Sequence, residues 1–442
     1  MKSFFKNHKL IDMKHIAPFF KAIILLLMPA VWMLSCKQES FDYIIPEAAA
    51  IKIDSIDFST GSPSLIADGQ ASLSFIIQAY SKKQVTINGV ARDSMVLIPA
   101  DRIPAENKKV FDENGKETGL SFSTTSTTPG TKSFYAKIGD KQSLARQVAI
   151  KAADPAYSKI VIPVVIHVFE LKKTDVKRYP WYVEVDYKRL QDMVAGMNTM
   201  FNRTGTSAPN GTSANIEFVL APNGPDGRPL EKAGYNMFEY LSTMNWGFGT
   251  ATAATFIKAN AAKLLWNPKK YLNIWVLPSA VFYGGITNAK PGYTLSATPL
   301  AGVTLQKVAS VDNVPLTEPE KVGLMIGHDE LYSALRGPAP NIGWRLGNFY
   351  GLFRTYSYFG ENNYTDYCTD TQKWAISQFR NVYKVSSTGI LFQAENVMDA
   401  TFTDSNIEGG QNLVSRVNTF TVEQVKRIRY VVQNCPERMA WQ

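Results

Sequence analysis

The chain has 442 residues, 45% of them apolar, which is long and apolar enough for more than one hydrophobic core. Its formal net charge is +9, but residues 1–35 hold five lysines and one aspartate, so the remainder carries +9 minus 4, or +5. Lysine and arginine pairs are scattered and form no stripe with interleaved aromatic residues, which excludes a nucleic-acid-binding surface.

The N-terminus has the pattern of an export signal. Lysines precede an apolar run at residues 22–33, and Leu34-Ser35-Cys36 is similar to a bacterial lipobox. The run has about a dozen residues, whereas a membrane-spanning helix needs about twenty. We therefore predict a signal peptide at 1–35, lipidation of Cys36 and a linker at 36–50. The lipid predicts anchoring to the outer membrane at the cell envelope, with display on the surface favoured over the inner leaflet.

Short alternating strands separated by turns are typical of residues 51–153. Runs such as 71–79 and 147–151 alternate apolar and polar residues, and Asn88-Gly89, Asn114-Gly115 and Pro129-Gly130 mark turns. About seven such strands over about 100 residues suit an immunoglobulin-like β-sandwich. We expect this all-β part to be a spacer or a binding arm.

From residue 155 to 442 the pattern changes to alternating strands and helices, which predicts an α/β domain. Apolar residues recur at helical spacing at Leu190, Met193, Met197 and Phe201, and this periodicity predicts a helix that packs on a sheet. The run at 216–220 predicts the next strand.

Residues 343–355, Gly-Trp-Arg-Leu-Gly-Asn-Phe-Tyr-Gly-Leu-Phe-Arg-Thr, have a spacing of particular interest. Metzincin proteases bind zinc through H-E-x-x-H-x-x-G-x-x-H, because histidines four residues apart lie on one helix face and the glycine allows a turn to the third histidine. On that spacing Trp344, Asn348 and Arg354 stand at the histidine positions and Arg345 at the glutamate position. The glycine and apolar positions still fit, so the helix is predicted to remain without its metal-binding chemistry.

Four further segments separate this pattern from an ordinary amphipathic helix that ends at Gly351. Residues 161–169 resemble the opening strand of pappalysin-type metzincins, and 271–277 resemble the strand before their active-site helix. Glu-Asn-Val-Met-Asp-Ala at 395–400 resembles their Met-turn, and 420–429 their closing helix. The chain therefore resembles the pappalysin-type lipoprotein metalloproteinases of Bacteroides-type bacteria. The resemblance implies an α/β zincin-like (metzincin) domain preceded by the all-β immunoglobulin-like sandwich.

This resemblance covers about residues 155–442 and implies a zinc cofactor, which we judge to be lost. Arg345 and Arg354 would bring two fixed cations to the place of a dication, and unit charges about 4 Å apart interact by about 4 kcal/mol at an effective dielectric of about 20. Met398 stands at the methionine of the Met-turn, but Ala400 replaces a tyrosine that is common in the family. We predict no catalytic residue, no bound metal and no other cofactor.

The histidine count gives the same prediction. The chain has four histidines, and His8 and His15 lie in the predicted signal peptide. His167 sits in a run of Val, Ile and Phe, so we expect a structural core residue. His328 then remains, and a three-histidine zinc site cannot be built.

An active enzyme is the alternative, either a zinc-dependent metalloendopeptidase with a non-standard ligand set or another hydrolase. It would require His328, Asp329, Glu330, Asp366 or Asp370 to converge in space. Adjacent residues on a helix or strand point in different directions, so a solvated loop is the favoured interpretation of the three residues from 328 to 330.

Two cysteines remain after the lipidated one, Cys368 and Cys435. An even pair in an oxidising compartment predicts a disulfide between them, with two buried free thiols as the alternative. No Cys-x-x-Cys pattern occurs, which argues against redox catalysis.

These observations predict a non-catalytic binding protein, a pseudoprotease. Its candidate cleft is rimmed by Trp344, Arg345, Asn348, Arg354 and Tyr356 and holds a peptide, glycan or partner protein, since aromatic and arginine side chains are favoured interface anchors. In the alternative arrangement, Trp344 fills the vacated metal cavity and Arg345 points to solvent. The membrane, reached through the lipid anchor, is the other predicted partner.

Overall fold

In the computed structural model, residues 51–441 are described except for 88–89, 129, 176–183, 241–249, 278–289, 329–330, 332–341, 360, 362, 379–380, 382 and 400–418. The predicted signal peptide, Cys36 and the linker lie outside these residues. Within the described ranges, no helix is both long and apolar enough to cross a bilayer.

Ten strands form the part of the chain before residue 152. They are β1 (Ser55–Ser59), β2 (Ser64–Ile66), β3 (Leu73–Ser74), β4 (Ile76–Ile87), β5 (Val90–Leu97), β6 (Lys109–Asp112), β7 (Ser121–Phe122), β8 (Thr131–Ile138), β9 (Lys141–Gln142) and β10 (Arg146–Lys151). One sheet has the order β1-β4-β5, and a second has the order β2-β10-β8-β6 with β9 paired to β8. Strands β3 and β7 form a separate pair. Within the described residues of this part, β2 and β10 form the one parallel pair.

Aromatic side chains join the two sheets in one core. Phe58 of β1 lies 5.6 Å from Phe75 between ring centroids, and Phe75 lies 5.0 Å from Phe134 of β8. Phe122 of β7 adds a further contact, 5.0 Å from Phe134. The alternating strands predicted at 71–79 and 147–151 are therefore confirmed, because their apolar residues face this shared core. Gly115 has a φ of +74°, as the predicted turn requires.

The rest of the described chain contains eleven strands and six helices. The strands are β11 (Ile160–Leu171), β12 (Ile216–Leu220), β13 (Tyr235–Tyr240), β14 (Leu272–Leu277), β15 (Tyr293–Thr294), β16 (Gln306–Lys307), β17 (Gly323–Gly327), β18 (Tyr356–Ser357), β19 (Trp374–Ala375), β20 (Tyr383–Val385) and β21 (Leu391–Gln393). The helices are α1 (Tyr187–Phe201), α2 (Thr250–Ala259), α3 (Ala261–Leu264), α4 (Pro319–Val322), α5 (Gly343–Phe349) and α6 (Val422–Asn434). Short 3-10 helices lie at Ala100–Arg102, Ala105–Asn107, Val311–Asn313, Ile376–Gln378 and Pro436–Arg438.

A parallel sheet of five strands is the centre of this second part. Its order is β12-β11-β14-β17, and β13 pairs with the second half of β11. The first half of β11 pairs with β12, from Ile160 opposite Ile216 to Val164 opposite Leu220. All of these pairings are parallel, so helices are needed to cover both faces of the sheet.

Strand β11 divides its side chains between the two faces. Val164, Ile166 and Val168 join the core formed with α1, α5 and α6, whereas Phe169 and Leu171 pack with α2 and α3. This division follows from the two-residue period of a strand and explains its nearly continuous apolar sequence.

The predicted helix and strand at 187–220 are confirmed. Leu190, Met193, Met197 and Phe201 are fully buried on one face of α1, and β12 spans the predicted residues. Asp186 starts the helix because its side chain accepts a hydrogen bond from the backbone N–H of residue 188.

Polar contacts connect the β-rich part to the parallel-sheet part, and residues 53–442 form one compact unit. Arg203 forms an ion pair with Asp68, and the arginine side chain is only 5% exposed. Ser64 Oγ donates to Asn210 Oδ1 at 2.9 Å. The backbone N–H of Ile66 donates to the carbonyl of Pro209 at 3.0 Å, so backbone and side chains together fix this junction.

Candidate functional site

Residues 343–349 form helix α5, and a left-handed turn follows at Gly351, as the spacing predicts. The helix ends at Phe349, and Gly351 has a φ of +82°, a conformation that favours glycine. The backbone N–H of Gly351 donates to the carbonyl of Asn348 at 3.0 Å, and that of Leu352 donates to Gly347 at 2.8 Å. This pair of bonds is a Schellman motif, which satisfies the last carbonyls of the helix and redirects the chain.

Two glycines allow methionine side chains to lie directly on the backbone of α5. A Cβ added to Gly347 would lie 2.3 Å from Sδ of Met398, and a Cβ on Gly343 would lie 2.2 Å from Sδ of Met200. No real Cβ tolerates such distances without movement of its neighbour. The methionine of the candidate Met-turn therefore packs against the helix that would carry a zinc site.

Asp399 holds the turn around Met398 in place. Its carboxylate accepts hydrogen bonds from Thr355 Oγ1, from Trp374 Nε1 at 3.1 Å and from the backbone N–H of Asn396 at 3.2 Å. Burial raises the pKa of Asp399, although these donors oppose the shift. The sequence comparison did not single out this residue, and only its place beside Met398 could have drawn attention to it. Ala400 lies outside the described residues.

Trp344 and Arg345 occupy the first two positions of the motif and contact each other. The guanidinium carbon of Arg345 lies 4.6 Å from the Trp344 ring centroid, a cation–π contact. Trp344 is 36% exposed, whereas Arg345 is only 5% exposed. The alternative in which Trp344 fills the cavity and Arg345 points to solvent is therefore wrong.

Arg354, at the third histidine position, organises the loop that follows it. Its NH2 group lies 2.7 and 2.5 Å from the two carboxylate oxygens of Glu361, and its Nε donates to the carbonyl of Tyr356 at 2.8 Å. The guanidinium carbon also lies 4.5 Å from the Tyr358 ring centroid and 4.2 Å from that of Tyr364. Arg354 is thus largely engaged within its own segment and is less available as a free anchor than the sequence suggested.

The remaining predicted cleft residues, Asn348 and Tyr356, are half-buried along the same segment. Two cavities, of about 70 and about 390 Å³, lie at the junction with the β-rich part and are lined by other residues. Asn210, Asp370 and Asp399 are among the residues that line the smaller cavity. Among the described residues, the candidate site is therefore an exposed face of α5 and the following loop, separate from these two cavities.

Zinc does not fit the motif positions of this chain. Tetrahedral zinc sites use imidazole, thiolate or carboxylate ligands, and Trp344, Asn348 and Arg354 offer none of these. Metal binding also requires a neutral or anionic donor, whereas Arg345 and Arg354 remain cationic. No catalytic step through zinc can be derived for this site.

The other sequence-level candidates do not converge on one point among the described residues. His167 is fully buried, with Nε2 2.9 Å from Asn273 Oδ1 and Nδ1 2.7 Å from Asn236 Nδ2. Burial lowers the pKa of His167 to about 4, so the ring is neutral, as expected for a structural core residue. His328 directly follows β17 and is buried, so the solvated loop that we favoured is wrong for this residue. Asp329 and Glu330 lie outside the described residues.

The two aspartates belong to the polar network at the start of α6. Asp366 Oδ2 accepts from Thr371 Oγ1 at 2.6 Å. Asp370 accepts from Thr421 Oγ1 at 2.7 Å and from the backbone N–H of Glu423 at 2.9 Å. A carboxylate at a helix N-terminus contacts the unpaired N–H groups there, which gives Asp370 a structural role, while Asp366 is engaged within its own loop by Thr371.

The predicted disulfide is wrong, because Cys368 and Cys435 are both buried free thiols. The Cys368 sulfur lies within 4.8 Å of a carboxylate oxygen of Glu423, in the first turn of α6, whereas Cys435 follows the last residue of that helix. At 1.5 Å per residue the helix separates the two sites by about 18 Å. A disulfide requires Cα atoms within about 7 Å, so this pair cannot form one.

Lys290 lies beside the motif and was missed by the sequence analysis. Its Nζ donates to the carbonyl of Leu352 at 3.0 Å and lies 3.1 Å from the Phe353 ring centroid. Burial, together with nearby Arg427 and Arg354, lowers the pKa of Lys290 to about 7. No local pattern could have indicated this lysine, because the groups that surround it come from distant parts of the chain.

Comparisons with known proteins give a likeness to solved structures. No family model matches the chain, and no curated protein matches it. Mature mirolysin from Tannerella forsythia in complex with a cleaved peptide is 20% identical, with a TM-score of 0.42, covering 65% of this chain and 97% of that chain. Mirolysin in complex with a compound is 19% identical, with a TM-score of 0.41 and the same coverage. A promirolysin mutant from the same organism is 19% identical, with a TM-score of 0.39, covering 65% and 85%.

Proposed function

We propose that the chain is a catalytically inactive metalloprotease homologue of the metzincin type that acts as a binding protein at the cell envelope. In this proposal the lipid on Cys36 anchors the chain to the outer membrane, and the immunoglobulin-like part connects this anchor to the binding domain. The ligand is a peptide or an exposed segment of a partner protein, which is held without being cut.

One observation carries this proposal. The helix, its glycine turn and the packed methionine are all present, while the positions that would hold zinc carry side chains with other contacts. Arg345 is buried against Trp344, and Arg354 pairs with Glu361. A chain that keeps such a helix without its ligands retains a surface of defined shape, and that surface can bind.

Exposed aromatic side chains supply the binding surface. Trp344 is 36% exposed, Tyr358 51% and Phe359 83%. Tyr358 is held by Arg354 and Glu361, since the Tyr358 backbone N–H donates to a Glu361 oxygen at 2.8 Å. Aromatic residues on a fixed backbone bury a large area at low entropic cost, as binding hot spots do.

Metal analysis and peptide capture on the full-length chain test this function. We expect no stoichiometric zinc, no chelator-sensitive cleavage of a mixed peptide library, and retention of a subset of its peptides. Trp344→Ala and Phe359→Ala should each weaken that retention about tenfold, the usual effect of removing one hot-spot side chain. Tyr383→Ala is the matched control, because Tyr383 is an aromatic residue that is 47% exposed and lies on strand β20, apart from α5 and the loop after it in the chain. Zinc-dependent cleavage would overturn the proposal.

Reinstalling ligands tests the retained frame directly. The triple variant Trp344→His, Asn348→His and Arg354→His restores the three imidazoles on the spacing that zinc requires. We expect it to bind about one zinc per chain and to melt at a higher temperature with zinc than without it. A folded triple variant that binds no zinc would contradict the inferred origin of the helix.

A second candidate, a zinc enzyme with relocated ligands, has one observation in its favour. Ligand atoms of Cys368, Asp370 and Glu423 lie within 4.8 Å of one another, the one such group found among the described residues. Against it, Asp370 accepts hydrogen bonds from Thr421 and Glu423, and both Glu423 oxygens accept from Thr369. Stoichiometric zinc in the wild-type chain that is lost on Cys368→Ser would favour this candidate.

A further inference from the structure

We propose that Lys290 and Arg427 form a binding site for a carboxylate group beside the turn at Gly351. The peptide origin of that carboxylate rests on the proposed function, whereas carboxylate binding itself can be measured without any peptide. The site lies next to the degenerate motif but uses a lysine and a helix residue that the motif does not include.

Lys290 is a half-buried cation whose only hydrogen bond among the described residues is to a neutral acceptor. That acceptor is the carbonyl of Leu352, at 3.0 Å, and the ammonium otherwise lies on the Phe353 ring. No carboxylate within the described ranges lies at ion-pair distance from Nζ. An ammonium group has three donors, and the carbonyl of Leu352 uses one of them, so within the described ranges Nζ can still donate to a ligand.

Arg427 approaches the same ring from helix α6. Its guanidinium carbon lies 5.5 Å from the Phe353 ring centroid, and its NH2 group donates to the carbonyls of Ala301 and Gly351 at 2.9 and 3.0 Å. The side chain is only 7% exposed, and its Nε is buried without an acceptor in the described part of the chain. A buried N–H on a charged group without an acceptor is costly, and a ligand oxygen would remove that cost.

Among the described residues, the acids of this region are paired with groups other than Lys290. Glu361 is bound to Arg354, and Asp366 lies near Arg427 with its oxygens engaged by Thr371 and by Lys373 at 3.5 Å. The groups that act on Lys290 are Arg427 from α6 and Arg354 from the loop after α5, and both are cations. The region around Phe353 therefore has an excess of positive charge that an anion would neutralise.

Carboxylate binding is coupled to the protonation of Lys290. Because the pKa of Lys290 lies at about 7 in the free protein, its amine is mostly neutral at pH 8. A bound carboxylate favours the ammonium form and raises that pKa, so binding takes up a proton from solution at pH 8. At pH 6 the amine of Lys290 is already protonated, so carboxylate binding there is tighter and takes up few protons.

Carboxylate fits these donors better than a neutral polar group. Arginine and lysine form short, charge-assisted hydrogen bonds with carboxylates, and the Phe353 ring lies beside both cations. Tyr367 contacts Phe353 at 5.0 Å between ring centroids. A peptide could supply the group from an acidic side chain or from its C-terminus.

Calorimetry of the full-length chain with succinate tests the site. Titrations at pH 8 in two buffers of different ionisation enthalpy count the protons taken up, and succinamide is the uncharged ligand control. We expect succinate binding with proton uptake, and at least about tenfold weaker binding in Lys290→Met, from the loss of one charge-assisted hydrogen bond. Lys290→Arg should retain binding without proton uptake, because its guanidinium stays charged.

Lys426→Met is the matched control. It removes one positive charge from helix α6, which also holds Arg427, and the Lys426 side chain is 54% exposed. Unchanged binding in folded Lys290→Met, or no binding of succinate to the wild type, would overturn the proposal. Retention of peptides by the Trp344 surface in that case would leave the proposed function standing. A capped peptide with an internal glutamate, and its glutamine match with a free C-terminus, distinguish the two sources of carboxylate.

Discussion

Replacing Gly347 with alanine measures how closely Met398 packs on helix α5. The new Cβ would lie 2.3 Å from Sδ of Met398 and 3.4 Å from Cδ1 of Leu352. Overpacking of this kind costs roughly 1–3 kcal/mol, whereas replacing a helical glycine with alanine gains about 1 kcal/mol. We therefore expect Gly347→Ala to lower the free energy of unfolding by about 1 kcal/mol.

The assay is urea denaturation followed by circular dichroism, with and without Met398→Ala in the background. Removing the methionine side chain opens the space that the new Cβ needs, so Gly347→Ala should become stabilising by up to about 1 kcal/mol in that background. The difference between the effects of Gly347→Ala in the two backgrounds is the coupling energy of the pair in a double-mutant cycle. A stabilising effect of Gly347→Ala in both backgrounds would refute the close contact.

Three further predictions concern residues away from the motif. Burial raises the pKa of Glu170 to about 7 from an ordinary 4.5, so stability that is present below pH 4.5 is lost as the pH rises through 7. We expect Glu170→Gln to be more stable than the wild type by about 1–2 kcal/mol at pH 8 but not at pH 4. An equal effect at both pH values would contradict this prediction. Burial also raises the pKa of Cys368, and that of Cys435 to about 12, so both thiols should resist alkylation in the native chain and react in denaturant without reductant. Recovery of a disulfide-linked pair of peptides that contains both cysteines would refute this prediction. Asp68→Ala leaves the buried Arg203 unpaired and should lower the free energy of unfolding by about 3 kcal/mol, measured by urea denaturation; a change under about 0.5 kcal/mol would rule out a tight junction there.

Local patterns in the sequence predicted much of the fold. The buried face of α1, the strand at 216–220 and the turn at Gly115 each depend on residues that lie within a few positions of one another, so periodicity and glycine placement predict them. The helix at 343–349 and its left-handed glycine follow from the same kind of local information. Spacing also assigned Trp344, Asn348 and Arg354 to the positions of metal ligands, and this assignment stays a prediction.

Contacts between distant residues decided what those side chains do. Sequence gave no sign that Arg345 is buried under Trp344, because burial depends on what packs over the helix. Counting cysteines predicted a disulfide, but Cys368 and Cys435 lie at opposite ends of α6, a separation that only the folded chain reveals.

Lys290 gives the clearest example. In the sequence it is one lysine among many, but the fold places it on Phe353 beside Arg427, a residue 137 positions later by subtraction of their numbers. Like charges brought together in a partly buried place lower the pKa of an amine, and no local pattern encodes that meeting. The sequence determined which local elements form, whereas the tertiary structure decided which charges face one another, because electrostatic interaction depends on distance in space.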